Sequence, residues 1–218
     1  MSDDTPARQI PRLPVLGWAA FGGPRRTLVP NALDGRNAVL TTSGRAAIAL
    51  ALQALGLGVG DQVLVPTYHC PTMIAPVVNT GAEPRFFPIN RSGGADLEVL
   101  KRADLHQVRA MIVAHYFGIP QPLSEVRKFC DERNIVLIED CAHAFFGSSD
   151  GRPIGSWGDF AIASLTKFFP VSEGGCLVSK SRDLDRIKFS SRSVHEEVRA
   201  FANAVEIGSQ YHRFPGLN

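Results

Sequence analysis

The 218-residue chain is 44% hydrophobic and 20% charged, an ordinary globular composition with enough apolar residues for one large core. Its net charge is +2 and no long Lys/Arg block occurs, so a nucleic-acid or membrane-surface footprint has no support. No apolar stretch reaches bilayer-spanning length, and Met1-Ser2-Asp3-Asp4 lacks the basic region and apolar run of a signal peptide. Cys70, Cys130, Cys141 and Cys176 form no C-x-x-C pair, which fits a reduced, cytoplasmic compartment and speaks against a disulfide framework or zinc site.

Residues 1–37 are rich in Pro, Gly and Arg and read as an irregular arm lying over a larger body. From Val39 onward, short apolar runs alternate with amphipathic segments. Ser43 is placed to cap a helix over 45–55, with Gly56 just past its end, and its apolar residues nearly encircle the axis, which predicts burial. A strand at 62–65 and a helix at 72–79 closed by Gly81 follow. Strands near 85–89 and at 110–115 precede a helix over 123–133. The strand at 135–140 opens with four apolar residues without alternation, the pattern of a central strand covered on both faces. Strands at 160–164 and 175–179 and helices over 183–190 and 194–205 complete the chain. The alternation predicts an α/β fold, a mostly parallel mixed sheet with helices on both faces, over residues 38–218.

Ligands of such sheets bind at the carboxyl ends of strands. Four groups fall there: Ser43-Gly44-Arg45, Tyr68-His69-Cys70, Asp140 with His143, and Ser164 with Lys167. A lysine with a hydroxyl three residues earlier and an aspartate ending a buried strand are what pyridoxal 5′-phosphate (PLP) chemistry needs. Each has a plainer explanation. Ser43-Gly44 could merely start a helix, Asp140 could cap a turn, and His143 could be an ordinary core or surface histidine. Against these stand two expectations of burial. An aspartate behind Ile135–Ile138 needs a cationic partner, and Lys167 before Phe168-Phe169-Pro170 is costly without a covalent or ionic role.

Segments 42–50, 58–66, 81–86, 115–118, 138–144 and 158–175 (the last carrying Lys167 and Glu173-Gly174-Gly175) come in an order that resembles one family. The chain is similar to the sugar aminotransferases of the DegT/DnrJ/EryC1/StrS type, within fold-type I PLP enzymes. The resemblance implies that Lys167 forms the Schiff base, that Asp140 pairs with the pyridine nitrogen and that His143 contacts the ring hydroxyl. It implies that Gly44 and Arg45 cradle the phosphate with Ser164. It also implies amino transfer from an amino acid such as glutamate to a keto-sugar nucleotide, in polysaccharide or deoxysugar synthesis, by a homodimer. The family's sugar dehydratases carry histidine in place of this lysine, so Lys167 weighs against that branch.

Four departures accompany the resemblance. Arg45 stands where the family usually has threonine, and Ser164 precedes the lysine by three residues rather than five. The ring-stacking aromatic aligns with Cys70, beside Tyr68 and His69, and the choice among the three stays open. The chain stops at Asn218, whose Gly216-Leu217-Asn218 resembles the family's next motif, in which the asparagine reaches the partner subunit's phosphate. The reading is therefore a large domain without its C-terminal small domain, with an apolar face left uncovered. A non-catalytic or incomplete PLP-fold subunit, and a PLP lyase or dehydratase, are the alternatives.

Overall fold

The computed structural model describes residues 10–23, 29–34, 37–179, 184 and 193–216. Strand β1 (Asn37–Thr41) leads into helix α1 (Gly44–Ala54), β2 (Gln62–Pro66), α2 (Pro71–Asn79) and β3 (Glu83–Phe87). The short α3 (Leu97–Lys101), β4 (Val108–Ala114), α4 (Ser124–Arg133) and β5 (Val136–Asp140) follow. A two-stranded ribbon, β6 (Ser148–Ser149) and β7 (Arg152–Pro153), precedes β8 (Phe160–Ser164), β9 (Gly175–Ser179) and α5 (Val194–Gln210).

Seven strands form one sheet in the order β1-β9-β8-β5-β4-β2-β3. It is parallel except where β9 meets β1 and β8. Strand alternation divides the core. Val63, Val65, Ala110, Ile112 and Ile138 pack with α1 and α2 on one face, while Leu64, Met111, Val113 and Leu137 pack with α4 on the other. A third cluster joins Ala161, Ala163, Cys176 and Val178 to Phe145 and the partly buried Phe168 and Phe169. The expected mixed sheet is the observed one.

Local differences have local causes. Helix α1 buries Ala47, Ile48, Ala51 and Leu52 but exposes Gln53 and Ala54, so it is covered on a broad face rather than all round. Strand β3 begins two residues before the expected 85–89, because its parallel register runs from Gln62↔Glu83 to Pro66↔Phe87. Helix α5 runs to Gln210, five residues past the expected end. Its Ser193–Glu196 capping box fixes the start, and Val194, Val198 and Phe201 lie exposed at i, i+4 and i+7 spacing. The expected helix over 183–190 falls almost wholly outside the described residues. Within the arm, Trp18–Phe21 form a 3-10 turn, with the Trp18 ring edge-on to Phe214 at 5.2 Å. Ala32 N–H donates to the Phe145 carbonyl at 3.0 Å.

Gly175 fixes where β9 meets α1. A Cβ there would lie 2.3 Å from the Ser43 carbonyl carbon and 2.6 Å from Gly44 N. Both are backbone atoms, so no rotamer change relieves the overlap. Gly175→Ala should destabilise the protein by about 1–3 kcal/mol, the cost of overpacking a close contact. Urea unfolding checks this, and an unchanged midpoint would mean the two elements can separate freely.

Candidate active site

At the carboxyl ends of β2, β4, β5 and β8 lies a cavity of about 480 Å³. Gly44, Arg45, Tyr68, Cys70, Asp140, His143, Ser164 and Lys167 all line it. The structure thus brings every described candidate residue to one place. Asn218 lies outside the described residues.

The start of α1 forms one end of the cavity. Ser43 accepts the Ala46 N–H on its side chain at 3.2 Å and the Ala47 N–H on its carbonyl at 3.1 Å. The N–H groups of Gly44 and Arg45 belong to the first turn, where no intrahelical acceptor exists, and with the helix dipole they favour an anion. A Cβ on Gly44 would stand 3.5 Å from that of the half-buried Ser164, so the hydroxyl and the helix start are neighbours. Ser164 Oγ lies 3.3 Å from Thr166 Oγ1. Arg45 is exposed.

Asp140 ends β5 and is 8% exposed. Its Oδ1 accepts the Ala142 N–H at 2.9 Å, so it does cap the following turn. Oδ2 carries no hydrogen bond among the described residues. Burial pushes the Asp140 pKa up, against the opposing Ala142 hydrogen bond and the charges of Lys167 and His143. Lys167 Nζ lies 2.9 Å from His143 Nε2. Shielding from solvent and then the Lys167 charge pull His143 below the ordinary histidine value, with Asp140 opposing. A neutral ring leaves Nε2 free to accept from the amine.

One expectation fails. Lys167 is exposed, not buried among apolar residues. The 3-10 turn Leu165–Lys167 after β8 brings it to the cavity wall. Phe168 and Phe169, which prompted that expectation, instead pack against Phe145 with ring centroids 5.5 and 5.3 Å away.

Tyr116 and Phe117, in the turn after β4, also line the cavity and were not singled out from sequence. Their place just past a predicted strand end was the available signal. Tyr116 donates its hydroxyl proton to the Tyr68 carbonyl at 2.6 Å. Burial first, then the charge of Asp140 and the nearby Tyr68 and Cys70, push its pKa up to about 12. Phe117 sits at φ 56°, a left-handed conformation that costs a bulky residue about 1–2 kcal/mol. His69 also lines the cavity, its Nδ1 2.9 Å from the Pro66 carbonyl and its ring stacked on Phe86 at 5.0 Å.

Comparisons with known proteins bear on the family and the fold. GDP-perosamine synthase of Vibrio cholerae is 34% identical over 152 residues, covering 68% of this chain and 41% of that protein. An aminotransferase structure from Psychrobacter cryohalolentis matches with a TM-score of 0.63 at 29% identity, over 66% of this chain and 38% of that one. The E. coli GDP-4-keto-6-deoxy-D-mannose-3-dehydratase, solved with bound hydrated PLP, matches at 0.62 and 26% identity, over 69% and 41%. The chain spans about two-fifths of the length of the curated relatives it matches. Residues 29–212 match the DegT/DnrJ/EryC1/StrS aminotransferase family, and the chain belongs to it.

Proposed function

We propose that this chain is the cofactor-binding part of a PLP-dependent aminotransferase. In this reading it moves an amino group from an amino acid, glutamate by family resemblance, to a keto-sugar nucleotide for polysaccharide or deoxysugar synthesis. One observation carries it: a lysine amine, a buried carboxylate with an unused oxygen and a helix N-terminus share a single cavity. That set matches PLP group by group. The first-turn N–H groups of Gly44 and Arg45, with Ser164, suit a phosphate. Asp140 Oδ2 suits a protonated ring nitrogen, which would stabilise the carboxylate that burial disfavours. The Arg45 guanidinium, in place of threonine, adds a charged partner at the phosphate end.

Bound PLP supplies an electron sink that makes the Cα proton of an amino acid removable. The residues of the chain do the rest. Lys167 Nζ would hold the cofactor covalently and, once the incoming amino acid has displaced it as a free amine, would take and return the Cα proton. His143 Nε2 orients that amine through its hydrogen bond. Among the described residues, no helix is long and apolar enough to cross a membrane. None of the four cysteines is in a disulfide among the described residues, which favours a cytoplasmic setting. A homodimer with the remaining domain present completes the proposed enzyme.

Borohydride treatment of the PLP-loaded protein should trap an adduct on Lys167 and bleach its visible absorption band. Lys167→Ala should yield no adduct. Peptide mapping decides it, and label on another lysine would sink the assignment.

Asp140→Asn should slow exchange of the glutamate Cα proton about a hundredfold or more, on the scale of losing a main electrostatic partner of the reacting group. A variant exchanging at the normal rate would leave Asp140 a turn cap and nothing else. Release of 2-oxoglutarate with transfer of ¹⁵N to the sugar would separate amino transfer from dehydration.

A further inference from the structure

Asp140 has a neighbour of like charge that the proposed chemistry leaves unassigned. Glu139 precedes it in β5, and strand alternation sends the two side chains to opposite faces of the sheet. Asp140 lines the cavity, whereas Glu139 is 0% exposed on the far side.

Four N–H groups converge on the Glu139 carboxylate. His115 Nε2 donates to Oε1 at 2.8 Å, and the Gly155 N–H donates to the same oxygen. The N–H groups of Trp157 and Gly158 reach Oε2 at 3.0 and 3.1 Å. His115, also 0% exposed, accepts the Gln121 N–H on Nδ1 at 2.8 Å, which places its proton on Nε2. Its backbone N–H donates to the Asp140 carbonyl at 3.1 Å. A single carboxylate thus ties the turn after β4 and the turn at 155–158 to the end of β5.

Charge burial of this kind is expensive, and an apolar side chain would fill the same space without it. What it gives is a fixed direction for the last residues of β5. His115, Glu139 and Cys141 also bring ligand atoms within 4.8 Å of one another, a spacing that could hold a metal ion. Both imidazole nitrogens and both carboxylate oxygens are already engaged, so the cluster works as a hydrogen-bond hub.

We propose that Glu139 and His115 are positioning residues that hold Asp140 with its free oxygen toward the ring nitrogen of the cofactor. The inference rests on the PLP reading and goes past it, because neither residue lines the cavity.

The test compares PLP affinity, read by absorbance titration, in wild type, Glu139→Gln, Asp140→Asn and the double variant. The amide would set an NH₂ group against N–H donors. Glu139→Gln should weaken PLP binding roughly tenfold, the scale on which outer partners of a bound group act. In the Asp140→Asn background it should cost nothing more, since both act through one contact. His115→Asn keeps an acceptor for Gln121 but loses the donor to Glu139, and should show a similar loss. His115→Gln, which puts a donor back near Nε2, should recover affinity.

If Glu139→Gln does not fold, the His115 pair decides alone. Additive losses in the double variant, no recovery in His115→Gln, or unchanged affinity in folded Glu139→Gln would each overturn the positioning role. A wild-type protein that takes up no PLP would overturn the cofactor reading itself, and the positioning role with it. The two failures are therefore distinguishable.

Discussion

Two adjacent carboxylates at the end of β5 set the terms for everything around them. Strand alternation puts one on each face of the sheet, and their surroundings then diverge. Glu139 meets four N–H groups and is fully engaged. Asp140 receives one, from Ala142, and keeps an oxygen for the cavity. A buried carboxylate in that state costs several kcal/mol unless a cationic partner arrives. Burial raises the Asp140 pKa, and a ligand bringing a positively charged N–H would relieve that cost.

The other end of the same cavity has the opposite preference. The start of α1 presents N–H groups and a positive dipole end, and its position depends on two close approaches. Gly175 brings β9 against Ser43 and Gly44, and Gly44 brings the helix beside Ser164. One cavity therefore holds a carboxylate at the strand end and a helix start at the other, with the Lys167 amine on its wall. In the proposed reading, a ring nitrogen and a phosphate on one rigid molecule would satisfy both ends at once.

Much of this was legible in the sequence because it rests on local patterns. Ser43 before a helix, the apolar run ending at Asp140, and strand-end placement of Tyr68 and Ser164 each use a short stretch of chain. The hub around Glu139 was not legible. It joins residues 115, 121, 139 and 155–158, and three of its four donors to the carboxylate are backbone N–H groups, which carry no residue signature. The exposure of Lys167 was misread for a related reason. Phe168 and Phe169 follow it, but the 3-10 turn separates their direction from that of the amine. Neighbours in sequence stood in for neighbours in space.

The same turn after β4 bears on the aromatic wall. By the family resemblance Cys70 would stand where a ring-stacking aromatic is expected, and it offers no ring. His69 is committed to Phe86 and the Pro66 carbonyl. Tyr68 and Tyr116 meet edge-on, with centroids 5.3 Å apart, and the Tyr116 hydroxyl locks onto the Tyr68 carbonyl. A phenol with its pKa near 12 keeps that proton throughout the physiological range, so the lock does not titrate. The aromatic surface of the cavity therefore comes from Tyr68, His69, Tyr116 and Phe117 rather than from position 70. His115, whose ring binds Glu139 and whose N–H binds the Asp140 carbonyl, immediately precedes Tyr116. One buried histidine thus joins the end of β5, which carries the carboxylate facing the cavity, to the turn that carries the aromatic wall.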